Sequence, residues 1–348
     1  MSFEWSCPAP LRDYDRITIG HGGGGLLTED LIRHLFLPGF GAAAAEAGAD
    51  DAAIVEVGGQ RIAFSTDSYV VRPLFFPGGD IGRLAVHGTV NDLAMVGATP
   101  LALSTAFVLE EGVGLDMVAR VATSMGEAAT EAGVMLITGD TKVVDAGLAD
   151  GMYITTAGIG VVPAGIDIGA RLARPGDVVI VSGPIGRHGT AVLSVREGLE
   201  FGTEIESDCA PLNEMVATMI GTGADIHVLR DLTRGGLAAA LCEIATEASV
   251  EITVDETSIP VPPAVEAACG FLGLDPIHVA NEGTLVAFVH PDDAERVLAT
   301  MHDHPHGADA VAIGEVSTER PGMVSARTAL GSHRVITRPL LEQLPRIC

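Results

Sequence analysis

The sequence predicts a protein of two units, each mixing sheet and helix, α/β or α+β in class. Three observations carry that expectation. Strand-like and helix-like segments alternate through both halves of the 348-residue chain. The proline- and glycine-rich stretch "PAGIDIGARLARPGD" separates the halves. The composition, 47% hydrophobic and 19% charged with 43 glycines and 4% aromatics, suits close helix–sheet packing rather than disorder.

Residues 1–45 read as a glycine-rich arm carrying "GHGGGG", with a short helix around residues 28–36. The first unit, 46–162, opens on the strands "AAIVEV" and "RIAFST", separated by "GGQ" as in a hairpin. A helix is expected from Ile81 to Val96. Another follows Asp116 as its N-cap, with Met117, Val118, Val121, Ala122, Met125 and Ala129 on one face and Gly133 as its stop. "VMLIT" and "MYITTAGIGVV" read as strands.

The second unit, 163–335, starts with the strand "DVVIVSG". Helices are expected near 188–198, 211–220, 235–248, 264–273 and 291–302, with strands at "EITV" and "TLVAFV" and short strands toward Ile336. Residues 336–348 read as a flexible tail, and thirteen extended residues reach roughly 40 Å. Pro339 and Pro345 keep it from forming one helix, and Leu340, Leu341 and Leu344 offer anchors.

A net charge of −26 repels a phosphate backbone, which argues against nucleic acid as a partner. Five scattered cysteines without a CxxC argue against a disulfide framework or a structural zinc site. "MSFEWSCPAP" lacks the pattern of a signal peptide, and the longest uncharged run, "GMYITTAGIGVVPAGI", is too short and too broken to span a bilayer. A cytoplasmic protein with no membrane contact is therefore expected. No role follows for the opening "MSFEWSCPAPLRDYDR".

Aspartates recur beside strand ends and glycines. Asp50 and Asp51 precede a strand, Asp67 ends one, Asp92 lies on a helix, Asp140 follows a strand and Asp231 opens "RDLTRGGL". Such carboxylates suit a magnesium–nucleotide site, although aspartate is also an ordinary cap and turn residue. "GHGGGG", with Gly23 and Gly24, and "SGPIGRHG" could wrap amides around phosphate, or serve as a linker and a strand–helix turn. Lys142 stands two residues after Asp140, and Glu282 stands at the entrance to an apolar strand. The first suits a phosphate-neutralising cation and the second a proton acceptor, unless each makes an ordinary turn salt bridge. The histidines of "MHDHPHGAD" read as a surface loop. Cys348, on the tail, is a thiol that could be carried between places.

Together, "GADDAAIVEV", "FSTDSYVVRPLFFPGGDIGRLAVHGTVNDLAMVGATP", "ITGDTKVV", "RDLTRGG", "VANEG" and the final "PRIC" resemble the HypE family of hydrogenase maturation factors. That family belongs to the ATP-binding superfamily of aminoimidazole ribonucleotide synthetase, selenophosphate synthetase and thiamine-monophosphate kinase. The resemblance runs from about His21 to Cys348. It implies a two-domain fold of the aminoimidazole ribonucleotide synthetase type, with N-terminal sheets pairing in a homodimer. It also implies ATP-dependent dehydration of an S-carbamoyl group on Cys348 to a thiocyanate, the source of cyanide for [NiFe]-hydrogenase iron. The carbamoyltransferase HypF would load Cys348 and the HypC–HypD complex would receive the cyano group. By the family pattern, Asp51, Asp67, Asp92, Asp140 and Asp231 hold magnesium and phosphates, Glu282 is the base, Lys142 stabilises the transferred phosphoryl group, and His87 and Asn91, one helical turn apart, line the site. The rivals are a small-molecule synthetase or kinase of the same superfamily, and a non-catalytic assembly scaffold holding a metal through "HDHPH".

Overall fold

The structure is a computed structural model, and it describes residues 16–41, 50–199, 204–338 and 346–348. Among the described residues of the arm are helical turns at Leu26–Leu31 (α1) and Leu37–Phe40 (α2), joined by a wider turn at Ile32–Phe36. Strands β1 (Ala53–Val57) and β2 (Gln60–Tyr69) pair as a hairpin through Gly58 and Gly59. Both glycines have positive φ (60° and 81°), as a two-residue turn matched to sheet twist requires. The small ladder β3 (Phe75–Phe76) and β4 (Gly79–Asp80) leads into α3 (Ile81–Met95), capped by the Asp80 carboxylate, which accepts from the Gly82 and Arg83 amides. Every residue of α3 except Arg83 is buried, because the helix packs against the first sheet on one side and the second unit on the other.

β5 (Thr99–Glu110), α4 (Leu115–Ala132), β6 (Met135–Val144) and β7 (Met152–Val162) complete the first unit. Its five strands run in the order β1-β2-β7-β5-β6. Along β7 burial alternates: Met152, Ile154 and Thr156 turn toward α3, while Thr155 and Ile159 face outward. Phe64, Leu101, Met135, Ile137, Ile159 and Val143 leave this sheet with exposed apolar side chains.

The second unit comprises β8 (Val178–Val181), α5 (Arg187–Glu197), α6 (Asn213–Gly221), β9 (Ile226–Asp231), α7 (Gly236–Ala248), β10 (Glu251–Asp255), α8 (Pro263–Leu272), β11 (Leu285–Val289), α9 (Ala294–His302), β12 (Val311–Ser317), β13 (Val324–Arg327) and β14 (His333–Ile336). Seven strands order as β14-β13-β10-β12-β8-β11-β9. Among the described residues no helix is long and apolar enough to cross a membrane.

Several local expectations need correction. Gly114, not Asp116, is the N-cap of α4; Asp116 lies in the first turn, and Ala122 is exposed while Ala128 and Ala132 take the buried face. Asp140 lies within β6 and Asp67 within β2, not at their ends. Four strands had no counterpart in the sequence reading, the two-residue β3 and β4 and the longer β5 and β9. β5 contains Pro100, and β9 contains His227 and Arg230, which look wrong for a buried strand. The His227 ring meets the Asp177 carboxylate at 2.8 Å and Arg230 pairs with Asp51 and Glu243, so both are buried with partners. Cys7 and part of the tail, 339–345, lie outside the described residues.

Candidate functional site

β9 carries the chain to Asp231 at the edge of the seven-stranded sheet, α3 packs against that strand, and the loop before β1 reaches the same place. Three elements distant in sequence thereby bring Asp51, Asp92 and Asp231 together, one carboxylate oxygen of each within 4.8 Å of the others. Burial pushes all three carboxyls above the usual carboxylate range, and neighbouring carboxylates push in the same direction. The Arg230 guanidinium opposes this at Asp51, 3.0 Å away, and its other arm holds Glu243 at 2.7 Å. Asp92 accepts from the Ser65 hydroxyl at 2.5 Å, whereas Asp51 Oδ2 and Asp231 Oδ2 are buried with no hydrogen-bond partner. Preassembled hard oxygens, two of them unsatisfied, fit a divalent cation such as magnesium.

These carboxylates line a cleft of about 1000 Å³ whose other walls come from the arm (Gly24, Thr28, Ile32), α7 (Ala239, Ala240) and Arg338. Asp50 and Asp67 also line it. Burial raises the Asp67 carboxyl, and Arg234, at 3.6 Å, opposes it. The arm is held close by a glycine: Gly24 has φ +72°, and a Cβ there would stand 2.8 Å from Arg234 Cβ. The Gly24 amide donates to the Thr28 hydroxyl at 3.0 Å, so it is not a free phosphate donor, and Gly23 does not line the cleft. Three amides of "SGPIGRHG" are likewise engaged. Ile185 donates to Pro260 O, Gly186 to Asn281 Oδ1 and Gly189 to Ala280 O, which ties this loop to the segments before α8 and β11.

The Arg346–Cys348 segment docks against the end of β2. Val70 N–H donates to Cys348 O at 3.1 Å and Arg72 N–H to Arg346 O at 3.3 Å, an antiparallel pairing that continues the strand. Ile347 is 2% exposed within the first unit's core, and Arg346 reaches the Asp150 carboxylate at 2.6 Å. Arg196 donates to the Arg346 carbonyl. The field of Cys348, then those of Asp67 and Glu282, raise the guanidinium of Arg234, a wall of the cleft, against the effect of burial, so the C-terminal residue lies beside the acidic site.

Glu282 precedes β11 and is 4% exposed. Its amide donates to Asp208 at 3.1 Å, its carbonyl accepts from Asn91 at 3.3 Å, and its Oε1 has no partner. Burial, then the fields of Asp231, Asp208 and Asp67, push its carboxyl well above the usual range, with Arg234 opposing.

Gly23 aside, four expected site residues are not brought to this cleft within the chain, and Glu282 and Cys348 stand outside its lining. Asp140 and Lys142 lie exposed on β6 and pair with each other at 2.6 Å. His87 is buried against Cys209 Sγ (3.7 Å) and beside Glu131. Asn91 is a brace: its amide also donates to Ala210 O at 3.0 Å, and its oxygen accepts from Leu212 N–H at 2.8 Å. Conversely, the sequence reading missed Arg230, Arg234 and Arg338. The first two flank the singled-out Asp231 in "RDLTRGG", a signal that each buried carboxylate needs a cation nearby. Arg338 joins Glu29 of the arm at 2.6 Å to Glu243 of α7 at 3.0 Å.

Residues 49–162 match the family model of the AIR synthase related protein N-terminal domain, and 174–325 match its C-terminal domain. The carbamoyl dehydratase HypE of Rhizobium leguminosarum bv. viciae is 53% identical over 96% of this chain and 95% of its own. A solved HypE–HypF complex superposes with a TM-score of 0.84 at 47% identity, covering 89% of this chain and 99% of that one. HypE in complex with ATP superposes at 0.81 and 47% identity, covering 96% and 100%. The chain belongs to the carbamoyl dehydratase HypE family.

Proposed function

We propose that this protein dehydrates an S-carbamoyl group on Cys348 to a thiocyanate at the expense of ATP, and so furnishes cyanide for [NiFe]-hydrogenase iron. The observation that carries the reading is the docked Arg346–Cys348 segment, which delivers Cys348 to Arg234 beside an acid-lined cleft. A HypF-type carbamoyltransferase loads the sulfur, and a HypC–HypD complex takes the cyano group in the cytoplasm.

The chemistry follows from what an amide lacks, a leaving group. The carbamoyl oxygen attacks the γ-phosphorus of ATP, the bond to the bridging oxygen breaks, and ADP departs. Removal of an N–H proton then drives cleavage of the carbon–oxygen bond, and phosphate leaves with the former carbamoyl oxygen. With both N–H protons gone, carbon and nitrogen are triply bonded as S–C≡N. Glu282 is the proton acceptor: its dry, carboxylate-rich surroundings make the neutral acid the favoured form once a proton arrives. Arg234 orients the Cys348 end, and Asn91 fixes the Glu282 backbone. Magnesium on Asp51, Asp92 and Asp231, with Asp67 adjacent, would supply neutralising charge for the nucleotide phosphates.

A homodimer accounts for Asp140 and Lys142. The first sheet leaves Met135 (62%), Ile137 (60%) and Val143 (66%) exposed on β6, an apolar surface suited to a second copy. Pairing through that sheet would carry each Asp140–Lys142 pair to the other copy's cleft, with the lysine facing the transferred phosphoryl group. Mixing a Glu282→Gln chain with a Lys142→Ala chain tests this, since one intact composite site should return activity to the mixture. The dehydratase reading is tested by single-turnover phosphate release: S-carbamoylated protein should release one phosphate per loaded chain, and a Cys348→Ala chain none. ATP consumption that ignores Cys348 loading would contradict it.

A further inference from the structure

We infer that His188, set by Ser207, is the positioning residue that holds the Arg346–Cys348 segment docked, by gripping the Ile347 carbonyl. This deepens the dehydratase reading and rests on it for its purpose, since docking matters because Cys348 carries the reacting group.

His188 lies in the first turn of α5 and is fully buried. Its Nε2 stands 2.7 Å from the Ile347 carbonyl and its Nδ1 stands 2.8 Å from the Ser207 hydroxyl. A carbonyl can only accept, so Nε2 carries the proton and Nδ1 is bare. The Ser207 hydroxyl must then donate to Nδ1, and its oxygen accepts from the Cys209 amide at 3.1 Å. The loop bearing Ser207 is itself tied down, because Ser207 N–H donates to Pro77 O at 2.8 Å. The Phe76 ring meets the imidazole edge-on at 5.3 Å and blocks rotation. The ring orientation is thereby set before the segment arrives, and the Ile347 carbonyl then selects the tautomer with the proton on Nε2.

Most other contacts of the segment are less discriminating. The pairing with Val70 and Arg72 uses backbone groups that any extended chain offers, and Arg346 meets Asp150 where solvent reaches both. His188 is different because departure of the segment leaves a buried N–H facing Phe76 and apolar neighbours without a partner. That penalty biases Cys348 toward the docked state while leaving release possible for loading and delivery. Loss of one such bond corresponds to about a tenfold shift in the docking equilibrium.

The test uses the full chain and the alkylation rate of each cysteine with iodoacetamide, read by peptide mass mapping. In His188→Phe, Cys348 should react about tenfold faster while buried Cys269 stays protected. In His188→Gln, whose side-chain amide can still donate to Ile347 O, the Cys348 rate should return close to wild type. In Ser207→Ala the rate should rise by a smaller factor, because the ring loses the Nδ1 partner that holds its orientation. An unchanged Cys348 rate in His188→Phe overturns the inference. So do equal rises in the Phe and Gln variants, or a rise at Cys269 alongside Cys348, which would make the ring a core prop. Alkylation needs neither ATP nor a carbamoyl group, so failure here is distinct from failure of the dehydratase reading.

Discussion

Replacing Asp92 by Asn should stabilise the protein in a chelator and abolish its stabilisation by magnesium. Asp92, Asp51 and Asp231 place oxygens within 4.8 Å of one another. Two unit charges at that separation repel by about 3.5 kcal/mol at an effective dielectric constant of roughly 20. Asp92 takes part in two such pairs, so full ionisation would cost about 7 kcal/mol or more at that dielectric. The folded protein escapes most of this by leaving carboxyls protonated, and Arg230 offsets part of it at Asp51. The Asn amide keeps an oxygen for the Ser65 hydroxyl, which donates to Asp92 at 2.5 Å. The net gain should be about 1–3 kcal/mol, in line with other active-site neutralisations. That corresponds to a rise in Tm of about 2–6 °C for a protein of this size class. Thermal unfolding followed by circular dichroism in excess EDTA, and again in excess magnesium chloride, reads both effects. Wild type should melt higher with magnesium, and Asp92→Asn should melt higher in EDTA but gain little from the metal. A variant that melts lower in EDTA and keeps the full magnesium shift would refute the reasoning.

Glu282→Gln should lower the dehydration rate by about 10²–10⁴ while leaving ATP binding intact, as single-turnover kinetics and nucleotide titration would show. The same variant reports on pH. The Glu282 carboxyl is raised in the fold, so its contribution is fully present below the ordinary carboxyl range and is lost as pH rises through the raised folded value. The Tm advantage of Glu282→Gln over wild type should therefore widen from acid toward alkaline pH, and a constant difference would contradict that environment. Asn91→Ala orphans the buried Ala210 carbonyl and the Leu212 amide, leaves the Glu282 carbonyl only the Ala210 N–H, and should cost about 2–4 kcal/mol in denaturant unfolding.

Much of the fold was legible because its periodicity is local. α3 was readable from Ile81 onward, and the Gly58–Gly59 hairpin from its turn chemistry. β9 was not, because its strand character depends on Asp177 partnering the His227 ring and on Asp51 and Glu243 pairing with Arg230 from distant parts of the chain. The site divides in the same way. Asp51, Asp92 and Asp231 were legible as acids beside strands and glycines, but their convergence is a property of packing. Gly24 was legible as a loop glycine yet serves close approach to Arg234 rather than phosphate. Spacing placed Asn91 one turn from His87, and only the fold shows that it braces the Glu282 carbonyl. Asp140 and Lys142 lie on an exposed strand, where a single chain pairs them with each other and gives Asp140 only its neighbour's amide besides.

Intact-protein mass spectrometry tests the central claim most directly. The chain is loaded with carbamoyl phosphate, ATP and a HypF-type partner beside a Cys348→Ala control, then given fresh ATP and magnesium. The account predicts a carbamoyl adduct confined to Cys348 that loses the mass of one water on ATP addition. An adduct that persists unchanged with ATP, or one that forms equally on the Cys348→Ala chain, would contradict it.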